Sequence, residues 1–121
     1  MSERLHAVLH SVGVYWHYCG YHYFTEAIFM AAEEPERLQS IRKEIYLPIA
    51  LKNRTTISNV EKNIRTIRDV MLWHGGGELL TSLTGGSYWH TRKPYPKDLI
   101  SVFAEYFVRD KGAGQIKSSQ G

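Results

Sequence analysis

One stretch of the chain, residues 55 to 73, carries side chains that can bond to a polar ligand along one face of a predicted helix. Apolar residues recur there at steps of three and four, which predicts an α-helix buried on one side; they are Ile57, Val60, Ile64, Ile67 and Met71. The opposite face carries Ser58, Asn59, Glu61, Lys62, Arg65, Thr66 and Asp69. Such donors and acceptors can bond to base edges, and the cations to phosphates. The pattern is compatible with a DNA recognition helix, although most helices with this periodicity are ordinary surface helices.

The histidines and the cysteine suggest a metal site at first sight. The chain has six histidines and one cysteine. His6 and His10 are four residues apart, and His17 and His22 flank Cys19. A structural zinc site needs four ligands and usually several cysteines, which this chain lacks. We therefore predict no metal and no cofactor, with the histidines at the surface or packed among aromatic rings.

Enzymatic motifs are incomplete. The HGGG segment at His74 to Gly77 resembles an oxyanion loop, but the chain has no GxSxG nucleophile turn. The glycines are not followed by the lysine of a phosphate-binding loop. Three glutamates, Glu33, Glu34 and Glu36, fit the junction of two helices better than a catalytic group. We predict that the protein is not an enzyme.

The elements around residues 55 to 73 resemble a helix-turn-helix. Thr55, Thr56 and Ser58 are all suitable caps, Ser58 and Glu61 have capping-box spacing, and Gly75 to Gly77 provide a stop. A preceding helix is predicted over Pro35 to Lys52, with a kink or a junction near Tyr46 to Pro48. The four residues 53 to 56 form the turn between the two helices.

The rest of the chain predicts further helices and no strand. Helices are expected over residues 4 to 12, from Gly20 to the EEPE segment, over Glu78 to Leu83, and over Asp98 to Asp110. A loop from Gly85 to Pro96 is expected to pack through Tyr88, Trp89 and Tyr95. The predicted fold is an all-α, compact bundle of about six helices, winged-helix-like without a clear wing. Residues 1 to 110 form one domain, the helix-turn-helix spans about 37 to 73, and residues 111 to 121 form a flexible tail.

Composition is compatible with a cytoplasmic, DNA-binding domain. The chain has 121 residues, of which 43% are hydrophobic, and no apolar run approaches the ~20 residues of a membrane span. One cysteine excludes an intrachain disulfide and favours the reducing cytoplasm. The formal net charge is +3. Residues 52 to 75 hold five cationic and two acidic side chains, so the excess lies around the predicted recognition helix.

Five segments together resemble the DNA-binding effector domain of the response regulator that initiates sporulation in endospore-forming bacteria. They are HSVGV at 10 to 14, GYHYFTEAI at 20 to 28, IYLPIALK at 45 to 52, TTISNVEKNIR at 55 to 65, and KP at 93 to 94. The resemblance covers roughly residues 5 to 108. It implies a transcription factor that binds double-stranded promoter elements resembling TGTCGAA, often as tandem dimers. It also implies a contact with RNA polymerase through residues 76 to 86.

The resemblance implies specific site residues. Base-reading positions of that family correspond here to Ser58, Asn59, Glu61, Lys62 and Arg65. Glu61 and Arg65 match the family pattern, whereas Lys62 and Asn59 stand where arginine is common. Arginine bonds guanine with two donors, lysine is a point charge and asparagine prefers adenine. Candidate phosphate contacts are Lys52, Arg54, Thr55, Thr56 and Arg68.

Two further hypotheses follow from these patterns. Full-length members of the family carry a receiver domain before this one, so the present chain is either an excised domain or a natural stand-alone protein. A stand-alone protein is expected to bind DNA without the phosphorylation switch, or to compete with a full-length regulator. The alternative to DNA binding is a helical protein interaction module. It would use the outer face of residues 56 to 69, where Glu61 and Asp69 repel phosphates, or the aromatic residues between Tyr15 and Phe24.

Overall fold

A computed structural model describes residues 2 to 86 and 93 to 109. The regular elements among these residues are helices, joined by turns and loops, and none is a strand. The α-helices are α1 (Ser2–Ser11), α2 (Cys19–Glu33), α3 (Leu47–Lys52), α4 (Ile57–Trp73), α5 (Gly76–Thr84) and α6 (Pro96–Ala104). A 3-10 helix (Pro35–Ser40) and two π-helical segments (Arg42–Tyr46 and Glu105–Arg109) complete the described part. The all-α prediction is confirmed. Tyr88, Trp89 and the predicted tail lie outside the described residues.

Helix α2 forms the centre of the bundle. Its buried residues include Tyr21, Phe24, Ala27, Ile28 and Ala31, which recur at helical spacing. The ring of Phe24 meets that of Phe103 from α6 edge to face, with centroids 5.8 Å apart. At its amino end α2 lies directly against α4. A Cβ on Gly20 would stand 2.5 Å from the backbone oxygen of Asn63 and 2.7 Å from Ile67, so glycine is required for this approach.

The segment from Pro35 to Lys52 differs from the single helix predicted. The first part is 3-10 and the second is a wide π-helical turn, so only Leu47–Lys52 is regular α-helix. Pro48 explains the change of pitch, because it has no N–H to donate to the carbonyl four residues earlier. The N–H of Leu47 donates to the carbonyl of Arg42, five residues back. The predicted junction near Tyr46 to Pro48 is confirmed, but the regular helix before it is wrong.

Helix α4 buries the predicted face, and most of the predicted outer face is exposed, although Asn59 and Glu61 are partly buried. Val60, Ile64, Ile67 and Met71 are buried, and Ile57 is partly buried. Thr56 caps the helix, since its hydroxyl oxygen accepts the N–H of Asn59 at 3.1 Å. The capping box predicted from Ser58 and Glu61 is therefore wrong.

The helices after α4 begin earlier than predicted. Gly75 has a φ of +90° and separates α4 from α5, whereas Gly76 and Gly77 belong to α5 itself. Gly76 lies so close to Met71 that a Cβ would stand 2.7 Å from its carbonyl oxygen. The first position of α5 therefore has no room for a side chain. Helix α6 begins at Pro96, and the carboxylate of Asp98 accepts the N–H of Tyr95 at 3.1 Å. The predicted start at Asp98 is therefore two residues too late.

Candidate nucleic-acid interface

The turn between α3 and α4 is a well-defined Schellman motif. Arg54 has a left-handed backbone, with a φ of +55°. Its N–H donates to the carbonyl of Leu51 at 3.3 Å, and the N–H of Thr55 donates to the carbonyl of Ala50 at 2.8 Å. Glycine is the usual residue at such a position, because a left-handed backbone strains other side chains. The turn of residues 53 to 56 is confirmed, and it places an exposed arginine at its tip.

Helix α2 supports the same turn through Glu26. One carboxylate oxygen accepts from the ammonium of Lys52 at 2.6 Å, and the other accepts from the amide of Asn53 at 3.2 Å. The amide of Asn53 also donates to the carbonyl of Ile49. These bonds fix the end of α3 relative to the core. Lys52 remains 73% exposed at its side chain, so two of its three donors can still meet a ligand.

Cations and a hydroxyl lie along the outer face of α4. Ser58, Lys62 and Arg65 are exposed and follow one another at steps of four and three residues. Within the described part of the chain, the side chains of Lys62 and Arg65 make no hydrogen bond or ion pair. Their donors are available to a ligand that approaches this face.

Asn59 is held more firmly than its neighbours. Its side-chain nitrogen donates to the hydroxyl oxygen of Thr55 at 2.9 Å, and its side-chain oxygen accepts from Asn63 at 3.2 Å. The side chain is partly buried as a result. One N–H and one lone pair of the amide remain, which is the pair of groups that adenine requires in the major groove.

Glu61 forms an ion pair that the sequence did not indicate. Its Oε2 lies 2.7 Å from Nη1 of Arg42 on the π-helical segment before α3. The two residues are 19 positions apart, so no helical spacing links them. Tyr46 is buried beside them, and burial together with the carboxylate of Glu61 raises the pKa of the phenol to about 12. The ion pair thus connects the π-helical segment before α3 to α4, and Tyr46 is buried beside it.

Arg68 occupies a different environment from the other candidate phosphate contacts. Its side chain is only 13% exposed. Nη1 donates to the carbonyl of Pro94 at 3.4 Å, and Nε lies 3.2 Å from the carboxylate of Asp69. The guanidinium therefore fixes the segment before α6 to α4. Thr55 and Thr56, by contrast, present hydroxyl groups beside the first turn of α4.

The negative charge of Asp69 is compensated by two cations on this face. Lys93 lies 2.9 Å from the same carboxylate oxygen that Arg68 contacts. Burial opposes ionisation, but the hydrogen bonds from Lys93 and Arg68 outweigh it and hold the pKa of Asp69 below its ordinary value. The repulsion that Asp69 would exert on a phosphate is reduced accordingly.

An open groove of ≈580 Å³ lies between α4 and the start of α6. Arg65 and Arg68 line one side, and Tyr95 and Lys97 line the other, with Tyr46 among the remaining residues. Sequence reasoning did not place Lys97 near the recognition helix. The linear spacing of Lys97 and α4 gives no signal for this proximity.

A short helix, a four-residue turn and a long helix with a polar, cationic outer face define a helix-turn-helix DNA-binding domain. The chain matches the family described as sporulation initiation factor Spo0A C terminal over residues 5–107. It belongs to this family, which comprises DNA-binding transcription factor domains rather than enzymes. Among the described residues, no helix has the length and apolar character to cross a membrane.

Proposed function

We propose that this protein is a sequence-specific transcription regulator that inserts α4 into the major groove of double-stranded DNA. The observation that carries this proposal is the exposed row of Ser58, Lys62 and Arg65 on a helix whose opposite face is buried. A major groove accepts one α-helix, and side chains at these spacings reach successive base edges.

The outer face supplies a distinct group to each kind of base edge. Arg65 bonds O6 and N7 of a guanine, and Glu61 accepts from the amino group of a cytosine. Asn59 pairs with an adenine through the free part of its amide. Lys62 and Ser58 bond to neighbouring bases. Because Asn59 and Lys62 replace common family arginines, the preferred element resembles TGTCGAA but differs at the bases these two residues meet.

The turn supplies the phosphate contacts. Arg54 projects from the left-handed position, Lys52 keeps free donors, and the hydroxyls of Thr55 and Thr56 flank the amino end of α4. The positive end of the helix dipole adds to their attraction for a phosphate. Arg68 acts indirectly. Its hydrogen bond to the carbonyl of Pro94 holds the start of α6 beside α4, and its guanidinium does not contact a phosphate. We also propose that the protein binds tandem elements as a homodimer and contacts RNA polymerase through α5.

Fluorescence anisotropy tests the proposal directly. One labelled duplex carries tandem TGTCGAA-like elements, and a second carries the same bases in scrambled order, both near physiological salt where non-specific binding is weak. We expect tighter binding to the first duplex. If both bind equally, selection from random DNA must yield a preferred element; failure to select any sequence contradicts the proposal.

A second function is favoured by two exposed tryptophans. The side chains of Trp16 and Trp73 are 67% and 85% exposed, and tryptophan is enriched in protein interfaces. In this alternative the domain keeps its fold and binds another protein through these rings. Binding to DNA falls steeply with salt, whereas association through aromatic rings does not, so a salt titration separates the two functions.

A further inference from the structure

The ion pair between Arg42 and Glu61 connects a residue of the proposed base-reading set to one outside the recognition helix. Arg42 lies on the π-helical segment Arg42–Tyr46, and its side chain is 58% exposed. Glu61 is 22% exposed at its side chain. The bond at 2.7 Å uses one guanidinium nitrogen and one carboxylate oxygen, Oε2.

We propose that Arg42 is a positioning residue that sets the base specificity of Glu61. The proposal rests on the proposed function, because Glu61 must face a base for Arg42 to act through it. Arg42 holds Oε2, which leaves Oε1 as the acceptor for a cytosine amino group. Without Arg42 the carboxylate is free to rotate, and its charge faces the DNA uncompensated.

Electrostatics explain why such a partner is needed. A free carboxylate on a recognition helix is repelled by phosphates, and this repulsion opposes binding to every sequence. A guanidinium in contact with one oxygen removes most of the net charge while a lone pair of the other oxygen remains available. Specificity for cytosine then remains, and the general repulsion is reduced.

The surroundings of the pair restrict its geometry. Tyr46 is 4% exposed and lies one turn after Arg42, and both Glu61 and Arg65 act on its phenol electrostatically. The two arginines therefore stand near a single carboxylate, which is one turn before Arg65 on α4. The ion pair keeps Arg42 and Glu61 ordered before DNA arrives, and preorganised groups bind with a smaller loss of entropy.

The test compares complete base profiles. For each protein, binding is measured on the preferred duplex and on every single base-pair change within it. For the wild type, the informative change puts thymine in place of the cytosine that Glu61 contacts, which exchanges a hydrogen-bond donor for an acceptor. We expect this change to reduce the affinity for the duplex by roughly five- to tenfold. Glu61→Gln and Arg42→Ala should both reduce the loss at this position to about twofold or less. The double variant should add nothing further, and Arg42→Lys should restore part of the preference.

Lys43→Ala is the matched control, because Lys43 is an exposed cation of the same π-helical segment and has no hydrogen bond or ion pair within the described part of the chain. It should weaken all duplexes slightly and leave the profile unchanged. If Arg42→Ala behaves like Lys43→Ala, with the wild-type preference for cytosine retained, Arg42 is a phosphate contact and the inference is overturned. A wild type without any base preference would instead overturn the proposed function, and the role of Arg42 with it.

Discussion

The side-chain nitrogen of Asn59 lies 2.9 Å from the hydroxyl oxygen of Thr55, which joins the end of the turn to the first level of the outer face of α4. Thr56 caps the same helix through the N–H of Asn59. The two consecutive threonines thus have separate roles. Thr55 orients the side chain of Asn59, and Thr56 caps the amino end of the helix. The amino end of the recognition helix is fixed before any ligand binds.

The cap predicts a specific loss of stability. Thr56→Ala should lower the free energy of unfolding by about 1 kcal/mol, because the N–H of Asn59 loses its acceptor. Thr56→Ser should stay close to the wild type. Urea unfolding followed by circular dichroism measures both. Thr66→Ala is the control, since Thr66 is exposed in mid-helix and its hydroxyl donates to the carbonyl of Lys62; an equal loss there would contradict a specific role for the cap.

The left-handed backbone of Arg54 predicts opposite effects on stability and on binding. Arg54→Gly should raise the free energy of unfolding by about 0.5–1 kcal/mol, because relief of strain exceeds the entropy that glycine adds to the unfolded chain. The same change should weaken DNA binding uniformly and reduce the salt dependence by about one phosphate contact. Arg54→Asn is a second variant without the charge, because asparagine adopts the left-handed backbone more readily than most residues. If Arg54→Gly binds all duplexes as the wild type does, Arg54 does not contact a phosphate.

Arg65 should distinguish one sequence from another. Arg65→Ala should cost about 1–3 kcal/mol on the preferred duplex and much less on the scrambled one. The reason is that a bidentate contact to guanine disappears, while the neighbouring cations remain. Anisotropy titrations on both duplexes, with Thr66→Ala as a control for the same helix face, provide the measurement. Equal losses on the two duplexes would assign Arg65 to the phosphate backbone.

Gly20 should tolerate no side chain. The Cβ of Gly20→Ala would meet the backbone oxygen of Asn63 at 2.5 Å, so α2 must move away from α4. We expect a loss of about 1–3 kcal/mol, as for other overpacked interiors. Gly85→Ala is the control for backbone strain without a clash. Gly85 has a φ of +78°, and no atom of the residues that the structure describes lies within 4 Å of the added Cβ. Thermal unfolding of the two variants should show the larger effect at Gly20.

The carboxylate of Asp69 should make stability depend on acid. Its pKa is lower in the folded protein than the ordinary value of 3.8, so the folded state favours the charged form. The resulting stabilisation is complete above the unfolded pKa and is lost as the pH falls through the lower, folded pKa. Asp69→Asn should therefore be less stable than the wild type near neutral pH, and the difference should shrink below pH 3.8. Lys93→Gln should reduce the same difference; a gap that is constant from pH 7 to pH 2 would contradict this assignment.

Periodicity and composition predicted the parts of the fold that depend on neighbouring residues. The buried faces of α2 and α4 follow from apolar spacing, and the turn at 53 to 56 follows from the positions of two helices. The choice of Thr56 over Ser58 as the cap depends on backbone angles that no residue type fixes. The pairing of Arg42 with Glu61 depends on how the π-helical segment before α3 packs against α4, and that packing is not visible in a linear spacing.

The wide turn at Arg42–Tyr46 takes up one extra residue of the chain. It holds one residue more than an α-helical turn would, with the N–H of Leu47 bonded five residues back. Deleting a single residue there would restore the α-helical pitch within the turn itself. The flanking segments would escape the rotation of about 100° that a deletion from a regular α-helix causes. We therefore expect the chain to tolerate a one-residue change of length in this turn while α4 and its outer face stay unaltered.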